Sequence, residues 1–208
     1  MKVGIIGATG KLGSLLVERS LKEGYETTAI VRHPEKLTNT NDLVVEKKDL
    51  FDLITQDIEK FDVVINAYNA PSDDLKQFST SMQKLMDIFQ GTKTRLIIAG
   101  GAGVSYLPDH SRVIDSPDLP AFIKPLAENE VAAYELLKND TSFNWLYMTP
   151  PLDMQFDAPH TGHHYFSGEN LGVDENGKSY ISYADYADAF MDEINSGNKH
   201  QPMGVYDK

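Results

Sequence analysis

Lys2-Val-Gly-Ile-Ile-Gly7-Ala-Thr-Gly10-Lys-Leu-Gly13, running on into Ser14-Leu-Leu-Val-Glu-Arg-Ser-Leu-Lys22, is the stretch whose reading decides the fold. Its first part is apolar on consecutive positions, as in a strand covered on both faces. From Leu12 onward the apolar positions take helical spacing. The three glycines fall between these elements. Gly7 allows a tight turn, Gly10 removes a side chain where a pyrophosphate would approach the backbone, and Gly13 lets the helix pack against the sheet. The uncapped N–H groups and the dipole of the helix start then face an anion. This order of strand, glycine turn and helix predicts a dinucleotide site built on Gly7, Thr9, Gly10, Lys11, Leu12 and Gly13.

The same rhythm continues outward. Strands are expected at Lys2–Ile6, Thr27–Val31, Leu43–Lys47, Val63–Asn66, Arg95–Ala99 and Asn144–Met148. Helical spacing fills Leu12–Glu23, Asp52–Ile58, Asp73–Gln90 and Pro125–Lys138. Alternation of this kind implies right-handed crossovers and a mostly parallel sheet. The expected fold class is α/β: a Rossmann-like doubly wound parallel sheet in three layers (α/β/α), with a small C-terminal elaboration. Gly101–Phe122 reads as a long loop of the sort that serves as a lid or binding segment. Pro150–Lys178 is irregular, and Tyr183–Ile194 resumes helical spacing behind a Ser182/Asp185 cap. No repeat or linker interrupts the 208 residues, so one domain spanning 1–208 is expected.

Composition narrows the classes of function. The formal charge of −12 disfavours nucleic acid, which needs clustered cations. With no cysteine there is no disulfide, thiolate metal site or cysteine nucleophile. No apolar run is long enough to span a bilayer, and the N-terminus opens on a strand rather than a signal helix, so a cytoplasmic location is expected. His160-Thr-Gly-His163-His164 lacks a helical pair and an evident carboxylate, and no metal is expected. Asp73-Asp74 and Glu128-Asn-Glu130 read as solvated helix faces.

The second strand separates the two dinucleotides. Where an acid would bind the ribose diol of NAD, the chain has Arg32, suited to a 2′-phosphate. NADPH is therefore the expected cofactor, with NAD as the alternative. Asp49 and Leu50 are placed to meet the adenine amine and ring, and Asn66 and Ala67 to line the trough. Gly100 and Gly101 would bring backbone close to the nicotinamide, with Thr149, Pro150 and Pro151 forming the opposite wall.

The glycine pattern is similar to that of the atypical and extended short-chain dehydrogenase/reductases. Trp145–Pro151, Thr161-Gly162 and the run Gly177–Ala187 resemble the NADH-flavin reductases of this group and, more distantly, mammalian biliverdin reductase B and the NmrA-like proteins. The resemblance covers nearly the whole chain. It implies NADPH at the glycine loop and hydride transfer to a flavin-like acceptor.

The chain departs from the usual catalytic pair. Tyr134 and Lys138 have the Tyr-x-x-x-Lys spacing but fall too near a helix end, and Leu126 and Glu130 stand where the pair is expected. Ser105 is displaced from the position that a catalytic serine takes. Catalytic residues are thus not identified. A planar acceptor can take hydride without such an acid, in a pocket assigned to Tyr68, Tyr106, Phe122, Met154, Phe156 and Tyr165. The function expected is NADPH-dependent reduction of a flavin, quinone or similar planar small molecule. The alternative is a non-catalytic NADP(H)-binding sensor of NmrA type. Oligomeric state is not legible.

Overall fold

In the computed structural model, which describes residues 1–38 and 40–208, ten strands and five α-helices follow one another. The strands are β1 (Lys2–Ile6), β2 (Glu26–Val31), β3 (Val44–Lys47), β4 (Val63–Asn66), β5 (Arg95–Ala99), β6 (Trp145–Thr149), β7 (Asp153–Gln155), β8 (Tyr165–Gly168), β9 (Tyr180–Ser182) and β10 (Pro202–Tyr206). The helices are α1 (Lys11–Lys22), α2 (Thr55–Ile58), α3 (Gln77–Phe89), α4 (Lys124–Leu137) and α5 (Tyr183–Ile194). Eight strands form one sheet in the order β3-β2-β1-β4-β5-β6-β10-β8, parallel except for the antiparallel pair β10–β8. A separate parallel pair joins β7 to β9.

Alternation along each strand divides the core in two. Val3 and Ile5 of β1 face the side covered by α1 and α5, with Leu16, Tyr186 and Phe190. Ile6 faces the other side with Leu85 and Phe89 of α3 and Leu137 of α4. Side chains buried on both faces are what the uninterrupted apolar strands require. This is the three-layer Rossmann-like α/β architecture that the strand–helix rhythm implies.

Strand order reverses beside β1. The chain runs outward through β2 and β3, then returns to lay β4 on β1's other edge. The crevice between the C-terminal ends of β1 and β4 is therefore the switch point at which ligands bind in open α/β sheets. Gly7 and Ala67 face each other across it: a Cβ on Gly7 would come within 2.6 Å of the Ala67 carbonyl oxygen.

Several expected elements are corrected. The helix expected over 52–58 is a 3-10 turn at Leu50–Asp52 and then the single turn α2. α3 begins only at Gln77, after a turn closed by the Asp74 N–H on the Pro71 carbonyl, so Asp73-Asp74 sits in a turn and not on a helix face. Gly101–Phe122 carries 3-10 turns at Ala102–Val104 and Val113–Asp115. The irregular 150–178 region contains β7 and β8, and the last residues add β10 to the main sheet. No helix among the described residues is long and apolar enough to cross a membrane.

Candidate functional site

The glycine turn shows what each glycine is for. Gly7 has φ of 77°, a left-handed backbone that favours glycine. Gly13 is buried in the first turn of α1, where a Cβ would run into the Gly7 carbonyl. Gly10 differs from both. Its φ of −78° suits any residue, and the nearest atom to an added Cβ is the Gly7 oxygen, 3.3 Å away. Internal packing constrains Gly10 far less than Gly13, since the neighbouring oxygen need give by only a few tenths of an ångström, and its bareness serves the space above it. Gly10 is also the N-cap of α1, and no side chain caps that helix. An open cradle over uncapped N–H groups fits a pyrophosphate.

A cleft of about 210 Å³ extends from this turn across the ends of β1, β2 and β4. Gly7, Thr9, Gly10, Arg32, Asp49, Leu50, Ala67 and Tyr68 line it, all from the set expected from sequence. Lys11, Leu12 and Gly13 lie in the adjoining first turn of α1. The Asp49 carboxylate caps the following 3-10 turn by accepting from the Phe51 N–H at 2.9 Å. Its other oxygen is 3.6 Å from Arg32 Nε, a loose pairing that leaves the guanidinium more than half exposed. Asn66 ends β4 and its side chain accepts from the Tyr68 N–H at 3.2 Å.

Sequence reading missed a second group of cations. Lys36, on the 3-10 turn Pro34–Lys36, lines the same cleft with His33 and Lys48. Lys48 is held by Asp57 at 2.5 Å, whereas Lys36 makes no ion pair among the described residues. In a chain of net charge −12 this is a local concentration of positive charge at the end of β2. The signal was Pro34-Glu-Lys36 directly after the strand.

Beyond β4 the site continues to β5 and β6. Bare α-carbons at Gly100 and Gly101 make room for neighbours within the protein. A Cβ on Gly100 would overlap the Tyr147 ring, and one on Gly101 the Glu130 carboxyl. Glu130, expected on a solvated face, is thus turned inward from α4. Burial pushes its carboxyl up to about 7. Burial also raises the Tyr147 hydroxyl, which lies 3.4 Å from the Gly101 N–H. Pro150 follows β6, on the side of Thr149, whose hydroxyl accepts from Ser105 at 3.2 Å.

Tyr134 is in the last full turn of α4, its ring tilted against that of Tyr147 at 5.1 Å between centroids, and burial raises its hydroxyl to about 12. Lys138 is held by Glu135. The two do not form a working Tyr–Lys pair.

The six aromatic and Met positions assigned to an acceptor pocket separate. Tyr68 lines the cleft, and Phe122 lines an apolar hollow below the 102–123 segment. Met154 packs against the core, and Phe156 meets Tyr183 edge-on with Lys11 over its ring. Tyr106 pairs by backbone with Arg112 and Asn170. Tyr165, on the edge strand β8, packs on Tyr206. The structure does not bring these last four to the two hollows.

His160 does have carboxylates nearby, contrary to the sequence reading: Asp188 at 2.5 Å and Asp185 at 3.7 Å, close enough together to hold a cation. The electron pairs are already engaged. Asp185 accepts from the Thr161 and Gly162 N–H groups and two hydroxyls, and Asp188 accepts from Arg19 at 2.5 Å. The cluster ties the 160–162 loop to α5 and α1.

Residues 7–196 match the model of a family described as NAD(P)H-binding. The chain belongs to the NAD(P)H-binding family. Its Rossmann-like sheet and glycine turn are those of the atypical short-chain dehydrogenase/reductases. The Bacillus subtilis protein YwnB is 36% identical over 197 residues, 93% of this chain and 92% of that protein. A Streptococcus pneumoniae structure, provisionally named an NADH-flavin reductase, has 36% identity and a TM-score of 0.94, with 100% of both chains covered. A Bacteroides thetaiotaomicron structure, provisionally named an epimerase, has 30% identity and a TM-score of 0.86 over 99% of this chain and 96% of that one.

Proposed function

We propose that the protein is an NADPH-dependent reductase that passes hydride to a flavin, quinone or similar planar acceptor. The observation that carries the cofactor half is the bare, only lightly constrained Gly10 at the uncapped start of α1, with Arg32 and Lys36 just beyond β2. The pyrophosphate would lie on the N–H groups of Lys11–Gly13. The adenosine would lie beside Asp49 and Leu50, with a 2′-phosphate between the two cations. NADPH, when bound, supplies the hydride. The chain would supply orientation: Gly7 and Ala67 line the cleft, Asn66 and Gly100 line the small hollow beyond it, and Gly101 and Pro150, which follow β5 and β6, would border the nicotinamide end.

The reductase half is supported by the name of the Streptococcus pneumoniae relative and by the lack of a working Tyr–Lys pair, which a planar acceptor does not need. The same lack argues against epimerase chemistry, which calls for a proton-transferring tyrosine at the sugar. Titration of the purified protein with NADPH and NADH, followed by turnover with riboflavin and menadione, tests the reading. We expect tight NADPH binding and oxidation by at least one acceptor. Tight binding without turnover by any acceptor would favour a non-catalytic NADP(H) sensor. Arg32→Ala should weaken NADPH by at least tenfold and NADH by less than threefold, on the scale of a lost charge-assisted contact. Equal losses would overturn the phosphate assignment.

A further inference from the structure

Glu130 is a titratable group that serves neither the dinucleotide cleft nor an ion pair of the fold. It lines two hollows at once. One is small and lies at the C-terminal ends of β4 and β5, with Asn66, Tyr68, Gly100 and Tyr147. The other, about 530 Å³, lies below the 102–123 segment. The carboxyl rests on the α-carbon of Gly101, where any side chain would displace it. No donor reaches the carboxylate among the described residues; the Tyr147 hydroxyl instead meets the Glu130 backbone carbonyl at 3.4 Å.

The groups facing Glu130 explain its state. Tyr147 comes from β6, Tyr68 from the end of β4 and Asp118 from the segment before α4, and Tyr186 of α5 also feels its charge. None of these is a cation. The nearby Arg112 guanidinium is taken by Glu135 at 2.7 Å. A carboxyl so placed keeps its proton to about pH 7, because burial is not offset by a partner.

The larger hollow has the chemistry of an organic-ring site. Ala102, Leu107, Val113, Leu119 and Ile123 give it apolar walls, while its acids are Asp118 and Glu130 and no Lys or Arg lines it. Its volume lies within the roughly 300–1,000 Å³ of small-molecule pockets. A phosphorylated acceptor such as FMN would meet two acids and no counter-charge there.

We propose that this hollow binds an uncharged quinone-class ring and that the Glu130 carboxyl is the proton donor to its carbonyl oxygen. The proposal rests on the reductase reading for the hydride: the hydrogen that NADPH would give up, as it becomes NADP+, would bond with its electron pair to one quinone oxygen and leave the other anionic. The Glu130 O–H bond breaks as an O–H bond forms on the ring oxygen left anionic. The quinone becomes the hydroquinone, and the carboxylate then regains a proton from water.

Menadione binding to the cofactor-free protein, measured by calorimetry from pH 6 to 9 as a range spanning about two units above the Glu130 transition, gives a readout independent of turnover. Affinity should fall by about tenfold per pH unit above that transition in the wild-type protein. Glu130→Gln, which keeps a hydrogen-bond donor but cannot titrate, should bind menadione without that dependence. With NADPH present, the variant should lose at least tenfold in kcat for menadione at unchanged NADPH affinity, the scale of a lost general acid. The carboxyl carbon of Glu130, followed by NMR in the wild-type protein, should titrate near 7 and shift with menadione, which keeps the test open if the variant misfolds. Absence of menadione binding, a pH-independent wild-type affinity, or an undiminished variant kcat would overturn the proposal. Loss of NADPH binding would instead sink the reductase reading and leave the menadione profile to stand by itself.

Discussion

Gly10 and Gly13 are three residues apart, yet an added methyl group meets different surroundings at each. At Gly13 it strikes backbone, coming within 2.1 Å of the Gly7 carbonyl oxygen, an overlap that no small shift relieves. Gly13→Ala should therefore cost about 2 kcal/mol, overpacking outweighing the gain in helix propensity. At Gly10 the methyl group needs only a slight retreat by the Gly7 oxygen. Gly10→Ala should leave the unfolding midpoint within a few degrees of wild type while weakening NADPH by at least tenfold. Thermal unfolding and a cofactor titration on both variants check the contrast; an unaffected affinity at Gly10→Ala would remove the reason given for that glycine. Glu130 adds a pH signature. Its folded-state value is raised from 4.5 to about 7, so the folded protein holds this proton more tightly than the unfolded chain does. That costs nothing below 4.5, grows between the two values, and is complete above about 7. Glu130→Gln should thus gain about 2 kcal/mol relative to wild type at pH 8 and little at pH 4, as read from denaturant melts at both. An equal difference at the two pH values would show that the carboxyl is not desolvated.

Among the elements, α5 shows how one buried carboxylate organises its surroundings. Ser182 caps the helix by accepting from the Asp185 N–H at 3.0 Å, and its hydroxyl returns a hydrogen bond to the Asp185 carboxylate at 2.5 Å. The same carboxylate accepts from Gly162 N–H at 2.7 Å and Thr161 N–H at 3.0 Å. Burial alone would raise its pKa, but the donors from Ser182, Gly162 and Thr161 outweigh burial and hold it below the ordinary 3.8. A lowered folded value means stability that is full above 3.8 and lost as pH falls through the folded value. Asp185→Asn should cost about 2–3 kcal/mol at neutral pH. Its unfolding should also lose part of the wild-type sensitivity below pH 4, within about a unit of the ordinary carboxylate value. Equal stabilities at neutral pH would mean that the loop is not held by this group. The Ser182/Asp185 cap was legible because capping is local, and so were β1 through β6, whose apolar runs carry their own signal. Strands β7, β8 and β9 were not: at three or four residues each, their pairing is decided by partners far along the chain. The inward turn of Glu130 was hidden for the same reason. Its neighbours on α4 mark a polar face, and only the packing of α4 against Gly101 and the 102–104 turn reverses that reading.

At the scale of the whole molecule, the sheet is completed by its last strand. β10 enters parallel to β6, with Met203 beside Met148 and Gly204 beside Thr149, and β8 then pairs antiparallel on its far edge. Met203 and Val205 are buried in the core shared with α1 and α5. Arg95 at the start of β5 prepares this closure. Its guanidinium donates to the carbonyls of Glu193, Ser196 and Asn198 at 2.6, 2.9 and 2.6 Å, fixing the chain as it leaves α5 for β10. The segment that builds the dinucleotide cleft lies at the opposite side of the sheet, on β1, β2 and β4. A chain ending at Lys199 would keep the cleft's residues but lose the partner of both β6 and β8. It would leave β6 as an open apolar edge, the kind of edge that pairs with other chains. Removing residues 200–208 should therefore abolish the cooperative unfolding transition and shift the protein toward aggregates, read by calorimetry and size-exclusion chromatography. A folded, monodisperse truncation with an ordinary transition would show that β10 only decorates the sheet. If instead the truncation stays soluble and still binds NADPH, the switch-point half folds independently of the closure, and the cleft depends on β1 through β5 alone.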